Sequence, residues 1–233
     1  MAGKNARWEA ELWSYISRGD GVHCPIYHSC QLRLQGVWCL SDNEEYYKEK
    51  LSFLDNDDLD LNVGIELNFF GCPRSSRIFR LVSRLGIKYQ MEAGIARPPV
   101  PDNIITKASD GLPIKVRRMP LKAYHGAVWQ LNDRWVIQLN SRDTPARQRF
   151  TLYHEIFHIL AHGKATPVFK RRAGVREGAF NELLADHFSV CTLLREEWLK
   201  TIWPEIKDIG QMAAIFEVPK PVMYLSLRAV GLI

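Results

Sequence analysis

The sequence contains no long hydrophobic run. A helix that crosses a bilayer needs about 18 or more consecutive apolar residues, and no stretch of this chain reaches that length. Residues 1–13 also lack the apolar segment that a secretory signal peptide requires. We therefore expect a cytoplasmic protein without a membrane partner.

Cysteine is scarce, and its spacing differs from that of the short CxxC zinc knuckles. In a reducing compartment the 5 cysteines are expected to pack or to bind metal rather than to form disulfides. Cys191 lies in an apolar helical pattern and is predicted to pack. For the other four, two interpretations stay open: a second, structural zinc site that staples a loop-rich segment, or ordinary reduced cysteines. The residues concerned are Cys24, Cys30, Cys39 and Cys72, with His23 and His28 as alternative ligands.

The excess of positive charge is small. The chain has 31 Lys and Arg against 26 Asp and Glu, a net charge of +5 that permits an acidic partner but identifies none. Residues 206–216 and 221–227 have the outline of a helix-turn-helix, yet they contain few basic residues. We therefore expect this pair to pack on the core, and we do not expect direct nucleic-acid binding.

The remaining pattern predicts an α+β fold in two parts. Residues 1–97 form a helical, loop-rich, cysteine-bearing segment, and residues 98–233 form the second domain. The proline-rich stretch at residues 91–102 is the predicted linker between them. Helices are predicted over residues 6–18, over residues 75–85 with Gly86 as the C-terminal cap, and over residues 144–162, and a β-hairpin is predicted from residues 127–131 and 134–139.

The motif that carries chemistry is HExxH, formed by His154, Glu155 and His158. Thr144 and Pro145 predict the start of the helix on which it lies. Residues four apart share one face of a helix, so both imidazoles can reach one ion. Zinc accepts imidazole nitrogen, and a catalytic zinc site has three protein ligands and a water. Glu155 lies beside the ligands, where it can act as the general base on that water.

Apolar residues surround HExxH on nearly all sides, which indicates a buried helix. Two histidines in helical spacing can also be ordinary core residues. Burying them together with a glutamate is costly unless something compensates, and a divalent cation would do so. We therefore predict one catalytic zinc ion. The apolar residues are Phe150, Leu152, Ile156, Phe157, Ile159 and Leu160.

The third protein ligand must come from elsewhere in the chain. His162 lies one turn further along, but the neighbouring positions lack the glycine and histidine of a metzincin-type site. The apolar helix predicted around residues 180–194 carries Glu182 and Asp186, four positions apart. Two like charges on one buried face repel unless one binds a cation and the other accepts a hydrogen bond. We predict Glu182 as the third ligand and Asp186 as the acceptor of an N–H from a ligating histidine.

Several roles stay open at this point. His187 either supports the site or lies on the surface. The strand at residues 134–139 would be a natural edge for a substrate peptide, unless other parts of the chain cover it. The side chains that could stabilise the transition state are Tyr153, His125, His162 and His187.

Weaker motifs extend this pattern from about Ile104 to the C-terminus. A hairpin begins at Gly126, a short run leads into HExxH, a second helix carries spaced acidic and apolar residues, and a pair of helices closes the chain. Each motif is weak alone, but together they are specific. They are Gln138-Leu139-Asn140, Arg149 to Tyr153, Glu182-x-x-Ala185-Asp186-x-Phe188, Leu193-Leu194, Met212-Ala213-x-x-Phe216-x-Val218 and Leu227-x-x-x-Gly231-Leu232.

Together these features resemble the ImmA/IrrE-like family of zinc endopeptidases. The resemblance implies an α+β core of gluzincin type, with a small antiparallel sheet, the HExxH helix and a second metal-ligand helix. It also implies that His154, His158 and Glu182 bind zinc and that Glu155 is the base.

The resemblance further implies a biological role, which is the cleavage of a helix-turn-helix repressor in stress responses or in the control of mobile elements. This chain departs from the family pattern in its cysteine-bearing N-terminal segment and at Arg195-Glu196, where relatives often have Met-Pro. The alternative hypothesis is a non-enzymatic regulatory or DNA-associated protein with a structural zinc. The intact Glu155 favours the enzyme, because a structural zinc has no use for a base.

Overall fold

The computed structural model of the chain describes residues 2–17, 77–102, 104, 111–122, 124–162 and 179–233. Within these ranges the chain forms seven α-helices and one three-stranded sheet, which confirms the α+β class. The elements are α1 (Ala2–Ser17), α2 (Arg77–Glu92), β1 (Ile114–Met119), β2 (Gly126–Gln130), β3 (Trp135–Asn140), α3 (Pro145–Ala161), α4 (Ala179–Leu193), α5 (Glu196–Ile206), α6 (Ile209–Phe216) and α7 (Lys220–Ala229).

The sheet is mixed, with strand order β1–β3–β2. β2 and β3 form the predicted hairpin, in which Gly126 lies opposite Leu139. β1 pairs with the other side of β3 and runs parallel to it. The prediction of a purely antiparallel sheet is therefore wrong for β1. The reason is the strand order: β2, the next strand along the chain after β1, lies at the far edge and runs antiparallel to β3, so that β3 returns between them in the direction of β1.

This strand order makes β3 the central strand. The prediction that residues 134–139 form an edge for a substrate is wrong, because β1 and β2 occupy both sides of that strand. Ile137 and Leu139 on its inner face are fully buried. Among the described residues, β2 pairs with β3 alone and is therefore an edge strand.

α3 is the helix that carries HExxH, and it packs against β2, β3 and α4. Its start agrees with the prediction: the Thr144 side chain accepts a hydrogen bond from the Arg147 amide at 3.2 Å, and Pro145 is the first helical residue. The Phe157 ring lies 5.6 Å from that of Phe188 in α4 and 6.4 Å from that of Trp13 in α1. The predicted burial on nearly all sides is confirmed, since eleven residues of this helix are buried.

α2 continues to Glu92 rather than ending at Gly86 as predicted. Gly86 lies where α2 packs against α4, and a Cβ added to it would lie only 2.7 Å from Thr192 Oγ1. The glycine therefore serves the close approach of two helices and not a helix C-terminus. Sequence periodicity cannot distinguish these two uses of glycine, because a close approach between helices depends on a partner more than a hundred residues away.

Arg149 connects the back of α3 to two other parts of the chain. Its side chain is 9% exposed and forms ion pairs with Asp102 at 2.5 Å and with Glu217, which follows α6, at 3.5 Å. It also donates a hydrogen bond to the Val100 carbonyl. The proline-rich segment before the sheet is thereby held against the metal-motif helix.

The C-terminal helices pack, as predicted, into the same hydrophobic core as α3. No helix in the described ranges is long and apolar enough to span a bilayer. The division of the chain at residue 97 stays a prediction. The second zinc site also stays a prediction, because its four candidate ligands lie outside the described residues: Cys24, Cys30, Cys39 and Cys72.

Candidate metal centre

α3 brings the two histidines of the motif together on one face. His154 Nε2 and His158 Nε2 lie 3.1 Å apart, and their rings meet at a centroid distance of 4.9 Å. Two nitrogens bound to one tetrahedral zinc ion at 2.0–2.1 Å would be about 3.3 Å apart. The spacing of the two imidazoles therefore fits a shared ion, with little rearrangement of the helix.

Asp186 of α4 holds the other nitrogen of His154. Asp186 Oδ1 lies 2.7 Å from His154 Nδ1, and both side chains are largely buried. A carboxylate in this position keeps the proton on Nδ1, so that Nε2 presents its lone pair to a cation. The hydrogen bond predicted for Asp186 is thus present, and the role of His154 as a metal ligand stays a prediction.

Glu182 lies on α4, four positions before Asp186 and therefore on the same side of the helix. α4 packs directly against α3. The side chain of Glu182 is outside the described part of the structure. Among the side chains that are described, no group of three or more His, Cys, Asp or Glu residues could hold a metal. A third ligand would therefore have to come from a residue whose side chain is not described. Glu182 is the residue predicted for this role.

Glu155 lies beneath the edge strand β2. It is 7% exposed. An ideal Cβ built on Gly126, the first residue of β2, would lie 2.8 Å from Glu155 Oε1 and 2.5 Å from Thr151 Cγ2. The sheet edge and the candidate base therefore lie so close that no side chain fits between them. The sequence indicated Gly126 only as the start of a hairpin.

The four candidates for a transition-state electrophile occupy different environments. The Tyr153 hydroxyl donates to the Pro101 carbonyl at 3.1 Å, and burial raises the pKa of this tyrosine. Tyr153 and Glu155 are about 200° apart around the helix, so the tyrosine faces away from the base. His162 is exposed and lies edge-on against Trp135, with 4.8 Å between ring centroids.

His187 is 4% exposed, which contradicts the surface alternative. Its Nε2 lies 2.8 Å from Ser83 Oγ and 3.1 Å from the Phe79 carbonyl, both in α2. Cys191, which was predicted to pack, lies in the same contact at 3.5 Å from His187 Nε2. These residues bind α4 to α2.

His125 precedes β2, and its Nδ1 lies 2.8 Å from Asp143 Oδ2, just before α3. Asp143 was not among the residues predicted from the sequence. A lone aspartate in front of a helix cap carries no signal that points to a partner 18 residues away. The pair holds the start of the edge strand next to the start of the metal-motif helix.

Comparison with known protein families identifies this arrangement. The family model of the M78 peptidases, the IrrE N-terminal-like domain, matches residues 110–228. The chain belongs to this peptidase family. No curated protein sequence matches the chain significantly. The matched residues contain the whole sheet, α3 with HExxH, and α4 with Glu182 and Asp186.

Membership in the M78 family agrees with the resemblance that the sequence shows to the ImmA/IrrE-like proteins, and it makes the chain a peptidase that acts on protein. The helices α1 and α2 precede the matched region. The part of the chain that resembles the family is therefore the part that builds the candidate metal centre.

Proposed function

We propose that this M78 protein is a zinc-dependent endopeptidase, with zinc bound by His154, His158 and Glu182 and with Glu155 as the general base. The observation that carries the proposal is the pair of imidazole Nε2 atoms 3.1 Å apart, one of them oriented by Asp186. Two converging nitrogen donors and a carboxylate on the adjacent helix form the donor set that a catalytic zinc takes. A structural zinc would not need Glu155 beside it.

The chemistry divides between the ion and the chain. When bound, zinc would polarise the scissile carbonyl and lower the pKa of the attacking water. Glu155 accepts the proton of that water and delivers it to the leaving amine nitrogen as the amide bond breaks. Its position beneath the edge strand keeps the carboxylate out of bulk solvent. Hydrogen bonds to the carboxylate are stronger in this less polar environment than they would be in water.

We further propose that the substrate adds as a strand to the outer edge of β2, which pairs with no other strand among the described residues. Gly126 at the start of β2 leaves no room for a side chain beside Glu155, so a peptide paired to this strand would pass close to the base. Main-chain hydrogen bonds would supply affinity, and side-chain contacts would supply selectivity. Trp129, which is 53% exposed, lies near the end of this strand.

The substrate that we propose is a helix-turn-helix repressor, on the basis of the resemblance to the ImmA/IrrE-like proteins. The proposed setting is the cytoplasm, in a stress response or in the control of a mobile element. Because the N-terminal segment of this chain differs from that of many relatives, we expect the choice of repressor to differ as well.

The test is to co-express the chain with the helix-turn-helix repressor encoded nearest to its gene and to map the products by mass spectrometry. Wild type should make one defined cut. Glu155→Gln keeps the shape of the side chain but removes the base, so it should lower the cleavage rate by at least ~10²–10⁴-fold while zinc content stays unchanged. Glu205→Gln removes an exposed glutamate of α5 and should cleave as wild type does.

Two results would contradict the proposal. An equal cut by Glu155→Gln would mean that another protease made it. Binding of the repressor by wild type without any cut, in the presence of zinc, would support the non-enzymatic alternative instead.

A further inference from the structure

The start of β2 is fixed by two contacts. The Asn140 amide donates to the His125 carbonyl at 2.8 Å, which closes the ladder between β2 and β3. His125 Nδ1 lies 2.8 Å from Asp143 Oδ2, and these two side chains are 15% and 8% exposed. His125 directly precedes β2 and Asp143 lies two residues before α3, so this connection holds the start of β2 close to the start of α3.

Gly126 lies directly on Glu155. A Cβ at this position would lie 2.8 Å from Glu155 Oε1, 3.2 Å from Glu155 Cγ and 2.5 Å from Thr151 Cγ2. Carbon atoms pack best at about 3.5–4.0 Å, so an added methyl group would have to displace its neighbours by about 1 Å. The φ angle of Gly126 lies outside the left-handed region. Close approach, and not backbone conformation, is therefore the reason for glycine here.

We infer that Gly126 is a positioning residue for Glu155. The absence of a side chain at Gly126 lets the Glu155 carboxylate occupy its position, and any side chain there would displace the carboxylate. The inference rests on the proposed role of Glu155. Catalytic groups must be held within fractions of an ångström, and a misplacement of about 1 Å can cost about 100-fold in rate. Gly126 acts through Glu155 and has no chemistry of its own.

An added Cβ at Gly126 would meet two residues, Thr151 and Glu155, and this allows the positioning role of Gly126 to be separated from simple packing. Thr151→Ser removes Cγ2, the atom closest to the added methyl group, and leaves the contact with Glu155 unchanged. The double variant Gly126→Ala/Thr151→Ser should therefore fold well and still displace the base. Gly210→Ala adds the same methyl group where the nearest atom is 3.4 Å away, and it is the matched control.

The probe is acetohydroxamate, added to the zinc-loaded full chain and followed by calorimetry. This ligand binds a metal ion through its two oxygens, and the proton of its N–O–H group passes to a carboxylate beside the metal. Glu155→Gln should weaken binding by about 10–100-fold, the usual effect of losing a charge-assisted hydrogen bond. Gly126→Ala should weaken binding to a similar degree while zinc content stays at the wild-type level.

Thermal unfolding distinguishes the variants further. Gly126→Ala should lower Tm by about 3–10 °C, as overpacked core positions do in domains of this size. The double variant should regain most of that Tm and keep the weak hydroxamate binding. Gly210→Ala should bind the hydroxamate as wild type does and should not lower Tm.

Recovery of hydroxamate affinity together with Tm in the double variant would show that Gly126 only packs, and it would overturn the inference. Full affinity in Gly126→Ala, with weak binding in Glu155→Gln, would also overturn the inference and leave the proposed function standing. Full affinity in Glu155→Gln would refute the role of Glu155 itself, and the inference would fail with it.

Discussion

The hydrogen bond between His154 and Asp186 joins residues 32 positions apart in the chain. A ligand histidine binds metal well only if the right nitrogen is deprotonated and the ring is held in place, and a carboxylate on the other nitrogen does both. Asp186 is 5% exposed, so its charge needs this partner as much as the histidine does.

We predict different losses of zinc affinity at the two acidic positions of α4. Asp186→Asn keeps a hydrogen-bond acceptor but removes the charge, and it should weaken zinc binding by ~10–100-fold. Glu182→Gln removes the proposed ligand and should weaken binding more. The measurement is a zinc titration in competition with a chromogenic chelator, in which Glu196→Gln, an exposed residue of α5, should match wild type.

A Glu182→Gln variant that binds zinc as tightly as Asp186→Asn, or more tightly, would contradict the ligand assignment. Wild type should carry about one zinc at this site, and substitution of His154 or His158 should remove it. Retention of the ion in both of these variants would refute the site as a whole.

At the scale of elements, α2 and α4 approach closely because Gly86 leaves room for the Thr192 side chain. Gln90, one turn further along α2, is fully buried and donates to the Thr192 carbonyl at 2.5 Å. The two contacts hold the helix of Asp186 against α2. A change in α2 can therefore reach the candidate metal centre without touching it.

We predict that Gly86→Ala destabilises the protein although alanine is the better helix former. Helix propensity alone would favour alanine by about 1 kcal/mol. The added methyl group would lie 2.7 Å from Thr192 Oγ1 and 3.1 Å from the Thr192 amide nitrogen, and overpacking of this kind costs about 1–3 kcal/mol. Urea unfolding should show a net loss for Gly86→Ala and no loss for Gly210→Ala. A more stable Gly86→Ala variant would mean that the helices separate easily.

At the scale of the whole molecule, Arg149 is the contact that joins α3 to the segment before the sheet and to the turn after α6. The side chains of Asp102 and Glu217 are 45% and 54% exposed, so water screens the charges of these two carboxylates and weakens their attraction to Arg149. Arg149 itself is buried, and its hydrogen bonds to Asp102 and to the Val100 carbonyl carry most of the stabilisation.

We predict that Arg149→Met lowers the free energy of unfolding by about 2–3 kcal/mol, since hydrogen bonds to charged groups contribute about 1.5–3 kcal/mol each and the methionine recovers part of the packing. The control is Lys200→Met, which breaks an exposed pair with Glu196 and should cost less than about 0.5 kcal/mol. Equal urea midpoints for the two variants would show that the buried arginine adds nothing beyond a surface ion pair.

The sequence by itself determined those features that depend on neighbours along the chain. The start of α3 follows from Thr144 and Pro145, and the spacing of His154 and His158 places both rings on one helical face. The β2–β3 hairpin follows from apolar segments on either side of a turn. These features could be predicted because a helix cap, a turn and an i,i+4 pair involve only a few consecutive residues.

Tertiary structure alone decided the direction of β1, the central place of β3, and the two glycines that permit close contacts. Gly86 and Gly126 look like a helix end and a strand start in the sequence, and only Thr192 and Glu155 reveal their use. His125 likewise acquires a role only from Asp143. Local propensity cannot specify such contacts, because their energy depends on which distant segment packs against each residue.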